Sequence, residues 1–175
     1  FAGSDSLVTD AEYTAGKDLQ MYPMVAGAVV VIYNVDAVTT PITLDRDTLV
    51  GIYSAKINTW NDPAIVALNP DLKDKLPNKT ITVVHRSDGS GTTEIFTKAL
   101  ASFSADWAKN VGAGSAVEWP VDKAKNGVGG KGNQGVTAAV LSTPNSIGYV
   151  ELSFALANGT PTAQMVNKAK KTVKS

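Results

Sequence analysis

The sequence predicts an α/β fold with a largely parallel sheet. Apolar runs rich in β-branched residues, over residues 25–33 and 80–86, are typical of buried strands. Segments with apolar residues at helical spacing lie between the predicted strands, and this alternation favours parallel strands covered by helices. The chain has 175 residues, 43% of them hydrophobic, which is enough for a core of its own.

The elements follow one another in a clear order. A polar connector precedes the strand over 25–33, and a helix is predicted over 44–57. Asp62 and Pro63 begin a short helix that runs to residue 68, because aspartate caps helices and proline suits the first helical position. After a polar loop over 69–79 come a strand over 80–86, helices over 92–103 and 105–111, a short strand over 117–119, a glycine-rich linker over 120–132, a helix over 133–142 and a strand over 146–150.

The loop between the strand over 80–86 and the next helix has the character of an anion site. It reads Arg-Ser-Asp-Gly-Ser-Gly-Thr over residues 86–92. Unpaired N–H groups and the positive end of the helix dipole suit an anion there, and the Arg86 guanidinium matches a tetrahedral oxyanion. Ser90 and Thr92 add hydroxyl donors, and an ordinary capped turn is the alternative. The nucleotide-hydrolase phosphate loop is not matched, because no lysine follows Gly91.

This loop resembles the central signature of the phosphate-binding proteins that serve high-affinity phosphate ABC transporters, which are type II periplasmic binding proteins. Further blocks agree with that family in order and spacing: residues 2–5, 23–25, 52–65, 117–120, 130–133 and 146–151. The similarity extends from residue 1 to about residue 157. Residues 2–6 and 56–60 are also similar to the DING branch of the family.

The resemblance implies a phosphate ion held between two α/β lobes, with no cofactor and no metal. The implied phosphate contacts on one lobe are Arg86, Ser90, Gly91 and Thr92, with Asp88 orienting the arginine. Ser4 and Asp5 lie on the other lobe, where the aspartate accepts a hydrogen bond from the protonated phosphate. A carboxylate in that position disfavours sulfate, which carries charge but no proton.

The resemblance also divides the chain into three parts. Residues 1–24 correspond to a remnant of the first lobe and a connector, 25–150 to the second, phosphate-binding lobe, and 151–175 to a return segment toward the first lobe. About the first third of a typical family member would precede residue 1, so a fragment or trimmed form is expected. Each charged hydrogen bond contributes about 1.5–3 kcal/mol. A lobe without its partner is therefore expected to bind phosphate weakly.

Composition excludes several other classes of protein. Sixteen basic and sixteen acidic residues cancel, so there is no basic field for a nucleic-acid partner. The longest apolar run, over 25–33, is far short of a membrane-spanning segment. The chain has no cysteine and hence neither a disulfide framework nor a cysteine-based zinc site. The family resemblance implies a periplasmic or extracellular location.

Three other motifs have plain structural interpretations. Residues 130–135 match the dinucleotide pattern Gly-x-Gly-x-x-Gly, but the preceding residues are predicted as a polar linker and not as a strand. Ser90 does not fit a hydrolase elbow, which needs a glycine two residues away on each side, because those positions are Asp88 and Thr92. His85 is predicted to point away from Arg86 and to pack against a neighbouring layer. Asn78 and Asn158 begin glycosylation sequons, which occur often by chance.

Two functions from different classes remain open. The first is phosphate capture for uptake by a non-enzymatic binding protein, with inorganic phosphate as ligand and a membrane phosphate permease as partner. In that case a missing chain segment or a second copy would complete the first lobe. The second is a secreted, DING-type relative that keeps the fold for interactions instead of transport.

Overall fold

The computed structural model describes residues 3–4 and 7–174, and a four-stranded sheet lies at its centre. The strands are β1 (Val29–Asn34), β2 (Thr43–Leu44), β3 (Thr82–Arg86), β4 (Gly127–Gly130), β5 (Ser146–Glu151), β6 (Gln164–Val166) and β7 (Thr172–Val173). The helices are α1 (Asp10–Ala15), α2 (Arg46–Tyr53), α3 (Pro63–Leu68), α4 (Gly91–Phe103), α5 (Ala105–Asn110), α6 (Pro120–Lys123), α7 (Gly132–Ser142) and α8 (Leu152–Ala157), with a 3-10 turn over Pro70–Leu72.

The main sheet has the order β1-β5-β3-β4, and β3 is parallel to both of its neighbours. The edge strand β1 is antiparallel to β5, with Val29 opposite Glu151 and Asn34 opposite Ser146. The predicted α/β fold with a largely parallel sheet is therefore confirmed. A second sheet, β2-β6-β7, was not predicted, because its strands are too short to produce a periodic pattern.

Both faces of β1 are covered, which explains why five of its six residues are apolar or aromatic. Along β1, Val30 and Ile32 face a cluster that includes residues of α7 and α8. Val31 and Tyr33 face the larger cluster, which contains residues of α2 and α4. Successive strand side chains point to opposite faces, so a strand buried on both sides loses the polar alternation of a surface strand.

Capping residues decide where two helices begin. The Asp45 carboxylate accepts the N–H of Thr48 at 2.8 Å, so α2 begins one residue after Asp45. It is shorter than the predicted helix over 44–57, partly because residue 44 belongs to β2. The start of α3 agrees with the prediction. Asp62 caps it by accepting an N–H at 2.9 Å, and Pro63 occupies its first position.

The stretch 117–132 differs from its prediction. Residues 117–119 form no strand, and residues 120–132 are not a linker, because they contain α6 and β4. Glycine is depleted in strands, so four glycine-rich residues carry little strand signal. Glycine is nevertheless required here: a Cβ atom on Gly130 would lie 2.6 Å from the backbone nitrogen of Val136 in α7.

The first buried strand starts later than predicted. Residues 22–28 are exposed and β1 begins at Val29, opposite the last residue of β5, although the apolar run starts at residue 25. Across residues 3–4 and 7–174, no helix combines the length and the apolar character needed to cross a membrane.

Candidate functional site

The end of β3, the loop that follows it and the first residues of α4 and α7 surround an open cavity of about 490 Å³. The lining residues are Gly3, Ser4, Arg86, Gly89, Ser90, Gly91, Gly132, Asn133, Gln134 and Phe154. The structure thus brings Ser4 to the same cavity as Arg86, Ser90 and Gly91. Asp5 lies outside the described residues.

Arg86, the last residue of β3, is held in a bidentate pair with Asp88. Its Nε donates to Asp88 Oδ1 at 2.8 Å, and its Nη2 donates to Asp88 Oδ2 at 2.6 Å. The Arg86 side chain is only 10% exposed. A guanidinium group in this geometry is fixed in orientation, because two parallel hydrogen bonds leave little rotation.

Asp88 also connects the loop to α7. The backbone N–H of Gly132, at the start of that helix, donates to Asp88 Oδ1 at 3.0 Å. The hydrogen bonds from the Arg86 guanidinium, helped by this N–H and by the positive charge, hold the pKa of Asp88 well below its usual range, against the opposing effect of burial. The carboxylate therefore stays ionised and keeps the arginine in place at every physiological pH.

The first turn of α4 supplies the other side of the loop. Ser90 is its N-cap and is buried, and its Oγ accepts the N–H of Thr93 at 3.2 Å. The N–H groups of Gly91 and Thr92 are at the first two helical positions, where no partner exists within the helix. The Thr92 side chain is 2% exposed and is not part of the cavity wall.

Sequence analysis missed the contribution of α7. The predicted linker over residues 120–132 argues against the Gly-x-Gly-x-x-Gly match at 130–135, because that motif follows a strand. The linker prediction is wrong, since β4 ends at Gly130 and α7 begins at Gly132. Gly130 and Gly135 allow the strand and the helix to approach closely, since an added Cβ at Gly135 would lie 3.1 Å from the Gly130 carbonyl carbon. The motif thus marks a second strand-to-helix turn at the same cavity, and it was the signal that could have revealed Gly132, Asn133 and Gln134.

His85 packs as predicted. It is buried, and its ring stacks on Trp119 with centroids 5.0 Å apart. Its Nε2 lies 2.9 Å from Asp122 Oδ1, and its Nδ1 lies 3.0 Å from the carbonyl oxygen of Arg86. These contacts give the histidine a structural role beneath the loop. Among the residues described, no three His, Asp or Glu side chains are grouped as a metal site would require.

Replacing Asp88 with Asn is expected to reduce the loss of unfolding free energy that the chain shows as the pH falls. Because the pKa of Asp88 is lower in the folded chain than the unfolded value of about 3.9, the unfolded chain takes up more protons as the pH falls. The stabilisation from this carboxylate is present above that value and is lost as the pH drops towards the folded pKa. Between about pH 5 and about pH 2, Asp88→Asn should lose less unfolding free energy than the wild type, measured by urea unfolding at each pH.

Asp106→Asn is the matched control, because Asp106 forms an exposed ion pair with Lys56. Ion pairs exposed to solvent contribute little to the free energy of unfolding. Between about pH 5 and about pH 2, Asp106→Asn should lose as much unfolding free energy as the wild type. If Asp88→Asn also loses as much as the wild type, the role given to the Arg86–Asp88 pair is contradicted.

Comparison with known proteins places the chain in a family. The PBP superfamily domain matches residues 1–175. The phosphate-binding protein PstS of Methanocaldococcus jannaschii is 48% identical over 162 residues, which are 92% of this chain and 41% of that protein. The PstS of Pasteurella multocida is 42% identical over 170 residues, covering 97% of this chain and 47% of that protein. The chain spans about half the length of the curated relatives it matches.

Solved structures agree on the fold. A high-affinity periplasmic phosphate-binding protein of the DING type, bound with phosphate, superposes with a TM-score of 0.73 at 23% identity, over 99% of this chain and 49% of that one. A phosphate ABC transporter substrate-binding protein from Clostridium perfringens, also with bound phosphate, superposes with a TM-score of 0.62 at 20% identity. The superposition covers 97% of this chain and 60% of that one. The family resemblance is confirmed, and because the family match covers every residue, the chain belongs to the PBP superfamily.

Proposed function

We propose that this chain binds inorganic phosphate as part of the solute-binding component of phosphate uptake. The observation that carries the proposal is the Arg86 guanidinium, locked by Asp88 at the wall of a cavity that also meets the first turn of α4. Fixed positive charge, hydroxyl groups and helix N–H donors are the groups that bind a tetrahedral dianion. The names of the relatives support phosphate as that anion.

The proposed contacts come from two separate parts of the chain. Arg86 donates from the end of β3, and Ser90, Gly91 and Thr92 donate from the start of α4, where the backbone N–H groups of Gly91 and Thr92 have no partner within the helix. Ser4 also lines the cavity. Asp5 follows it in sequence and is proposed to accept the proton of the monohydrogen phosphate, which would disfavour sulfate.

The wider role belongs to the whole protein and is part of the same proposal. In relatives of about twice the length, a second lobe would close over the anion, so residues 25–150 are proposed as one lobe, with 1–24 and 151–175 connecting to the other. Closure over a bound ion traps it without any change of covalent bonds, so the role is binding and release and not catalysis. A membrane phosphate permease and a periplasmic or extracellular location complete the proposal.

Titration of the 175-residue chain with phosphate, followed by NMR amide shifts and by calorimetry, tests the function. Phosphate is expected to shift the amide signals of Gly91 and Thr92, and sulfate is expected to shift them less at the same concentration. NMR detects this at millimolar affinity, which suits an incomplete site. An absence of loop shifts at millimolar phosphate, or equal responses to phosphate and sulfate, would count against phosphate capture by this chain.

A further inference from the structure

We propose that Tyr149 is a positioning residue for phosphate binding, whose hydroxyl group holds together the two sides of the loop over residues 86–93. This inference rests on the function proposed above. It assigns a role in the site to a residue that lies on β5, outside the loop and away from the cavity wall.

The Tyr149 hydroxyl group contacts both sides of the loop. It accepts the backbone N–H of Arg86 at 3.3 Å, and it lies 2.6 Å from Thr93 Oγ1. Arg86 ends β3 and carries the guanidinium, whereas Thr93 is in the first turn of α4, which carries the N–H donors. One buried oxygen atom therefore sets the separation between the charged group and the helix end that must act on the same anion.

The hydrogen bonds around this oxygen form a chain. A phenol has one proton and two lone pairs, so the hydroxyl that accepts from Arg86 is able to donate to Thr93. The N–H of Thr93 in turn donates to Ser90 Oγ at 3.2 Å. Burial raises the pKa of Tyr149, so the proton needed for this arrangement stays on the oxygen.

Packing keeps the Tyr149 ring in one orientation. The ring stacks on Phe96 of α4, with centroids 4.2 Å apart and planes 9° from parallel. The residue pairs between β3 and β5 are Thr82 with Ser146 and Val83 with Ile147, at the start of β3. The Tyr149 hydroxyl extends the connection between these strands to the far end of β3, where the loop begins.

Tyr53 provides a matched comparison within the same core. Its side chain is fully buried, and its ring centroid is 6.2 Å from that of Tyr149. Within residues 3–4 and 7–174, its hydroxyl oxygen has no hydrogen-bond partner. Tyr149→Phe and Tyr53→Phe remove the same atom from the same cluster, and only the first removes a link to the loop.

The test compares these two variants of the full chain. Without phosphate, amide hydrogen exchange at Arg86 and Thr93 should be about tenfold faster in Tyr149→Phe than in the wild type, relative to amides of β1, whereas Tyr53→Phe should match the wild type. With phosphate, the dissociation constant should rise about tenfold in Tyr149→Phe and stay unchanged in Tyr53→Phe.

Thr93 variants check the same link from its other end. Thr93→Val should reproduce the effect of Tyr149→Phe, and Thr93→Ser, which keeps the hydroxyl, should retain wild-type behaviour. The double variant Tyr149→Phe/Thr93→Val should be no weaker than the more affected single variant, because both changes break one connection.

Three results would overturn the role of Tyr149: equal loop exchange in the two tyrosine variants, acceleration spread evenly over the whole chain, or faster loop exchange with an unchanged phosphate dissociation constant. If the wild type gives no phosphate response at all, the proposed function fails, and the exchange comparison still decides whether Tyr149 holds the loop.

Discussion

Arg86→Ala is expected to weaken phosphate binding by at least about a hundredfold. Hydrogen bonds to charged groups contribute about 1.5–3 kcal/mol each, and a guanidinium that offers two of them to phosphate supplies roughly 3 kcal/mol or more. About 1.4 kcal/mol corresponds to a factor of ten in affinity. The substitution also leaves the Asp88 carboxylate without its partner beside the cavity, where its charge repels an anion. The dissociation constant from NMR titration gives the result.

Arg46→Ala is the control, because Arg46 is the only other arginine in the sequence and lies over the Phe103 ring, 4.8 Å from its centroid. It should bind phosphate as the wild type does. Arg86→Ala/Asp88→Ala should bind better than Arg86→Ala alone, since it removes the unpaired charge as well. If the phosphate dissociation constant of Arg86→Ala stays within about threefold of the wild type, the loss of binding free energy is under about 1 kcal/mol. That result would show that the anion is bound elsewhere.

Trp119→Ala is expected to lower the free energy of unfolding by about 4 kcal/mol, the largest stability effect that we predict. Trp119 is 4% exposed, and its ring lies among four others beneath the loop. The centroid distances are 5.0 Å to His85, 5.8 Å to Tyr53, 5.9 Å to Tyr149 and 6.1 Å to Trp107. Removing the indole leaves a cavity that these rings cannot all close. Urea unfolding followed by circular dichroism measures the loss.

Two variants make this prediction specific. Trp119→Phe keeps a ring in place and should cost less than half as much as the alanine variant. Leu156→Ala removes an apolar side chain that is 71% exposed and should change stability by less than about 0.5 kcal/mol. A loss below about 1 kcal/mol in Trp119→Ala would mean that the aromatic cluster adjusts around the vacancy and does not support the loop as a rigid unit.

The sequence predicted best where a signal is local. The turn from β3 into α4 was expected from an apolar run, a glycine-rich loop and a helical face, and the structure contains all three with α4 starting one residue early. The start of α3 was expected because Asp62 and Pro63 act on the residues next to them. The contact between Arg86 and Asp88, which the family resemblance implied, is equally local, since the two residues are two positions apart. The anion character of the loop stays a prediction.

Prediction failed where pairing partners are distant in sequence. The glycines of β4 form a strand because β3, some forty residues earlier, supplies the hydrogen bonds of the ladder. β2 is a strand because β6 lies beside it, more than a hundred residues later. Neither segment has an intrinsic pattern that would favour a strand. The exposed residues 22–28 show the converse, since their apolar sequence resembles a strand, and no strand forms there.

The candidate site divides in the same way. The class of fold and the strand–loop–helix turn over residues 82–103 could be predicted from the amino-acid sequence, because strand patterning and turn chemistry act over a few residues. The family was recognised from the resemblance of several sequence blocks along the chain. That Ser4 and the start of α7 share one cavity with the loop, and that the Tyr149 hydroxyl lies between Arg86 and Thr93, became visible only in the folded chain. The physical reason is that these contacts depend on strand order and on helix packing, which join segments far apart along the chain.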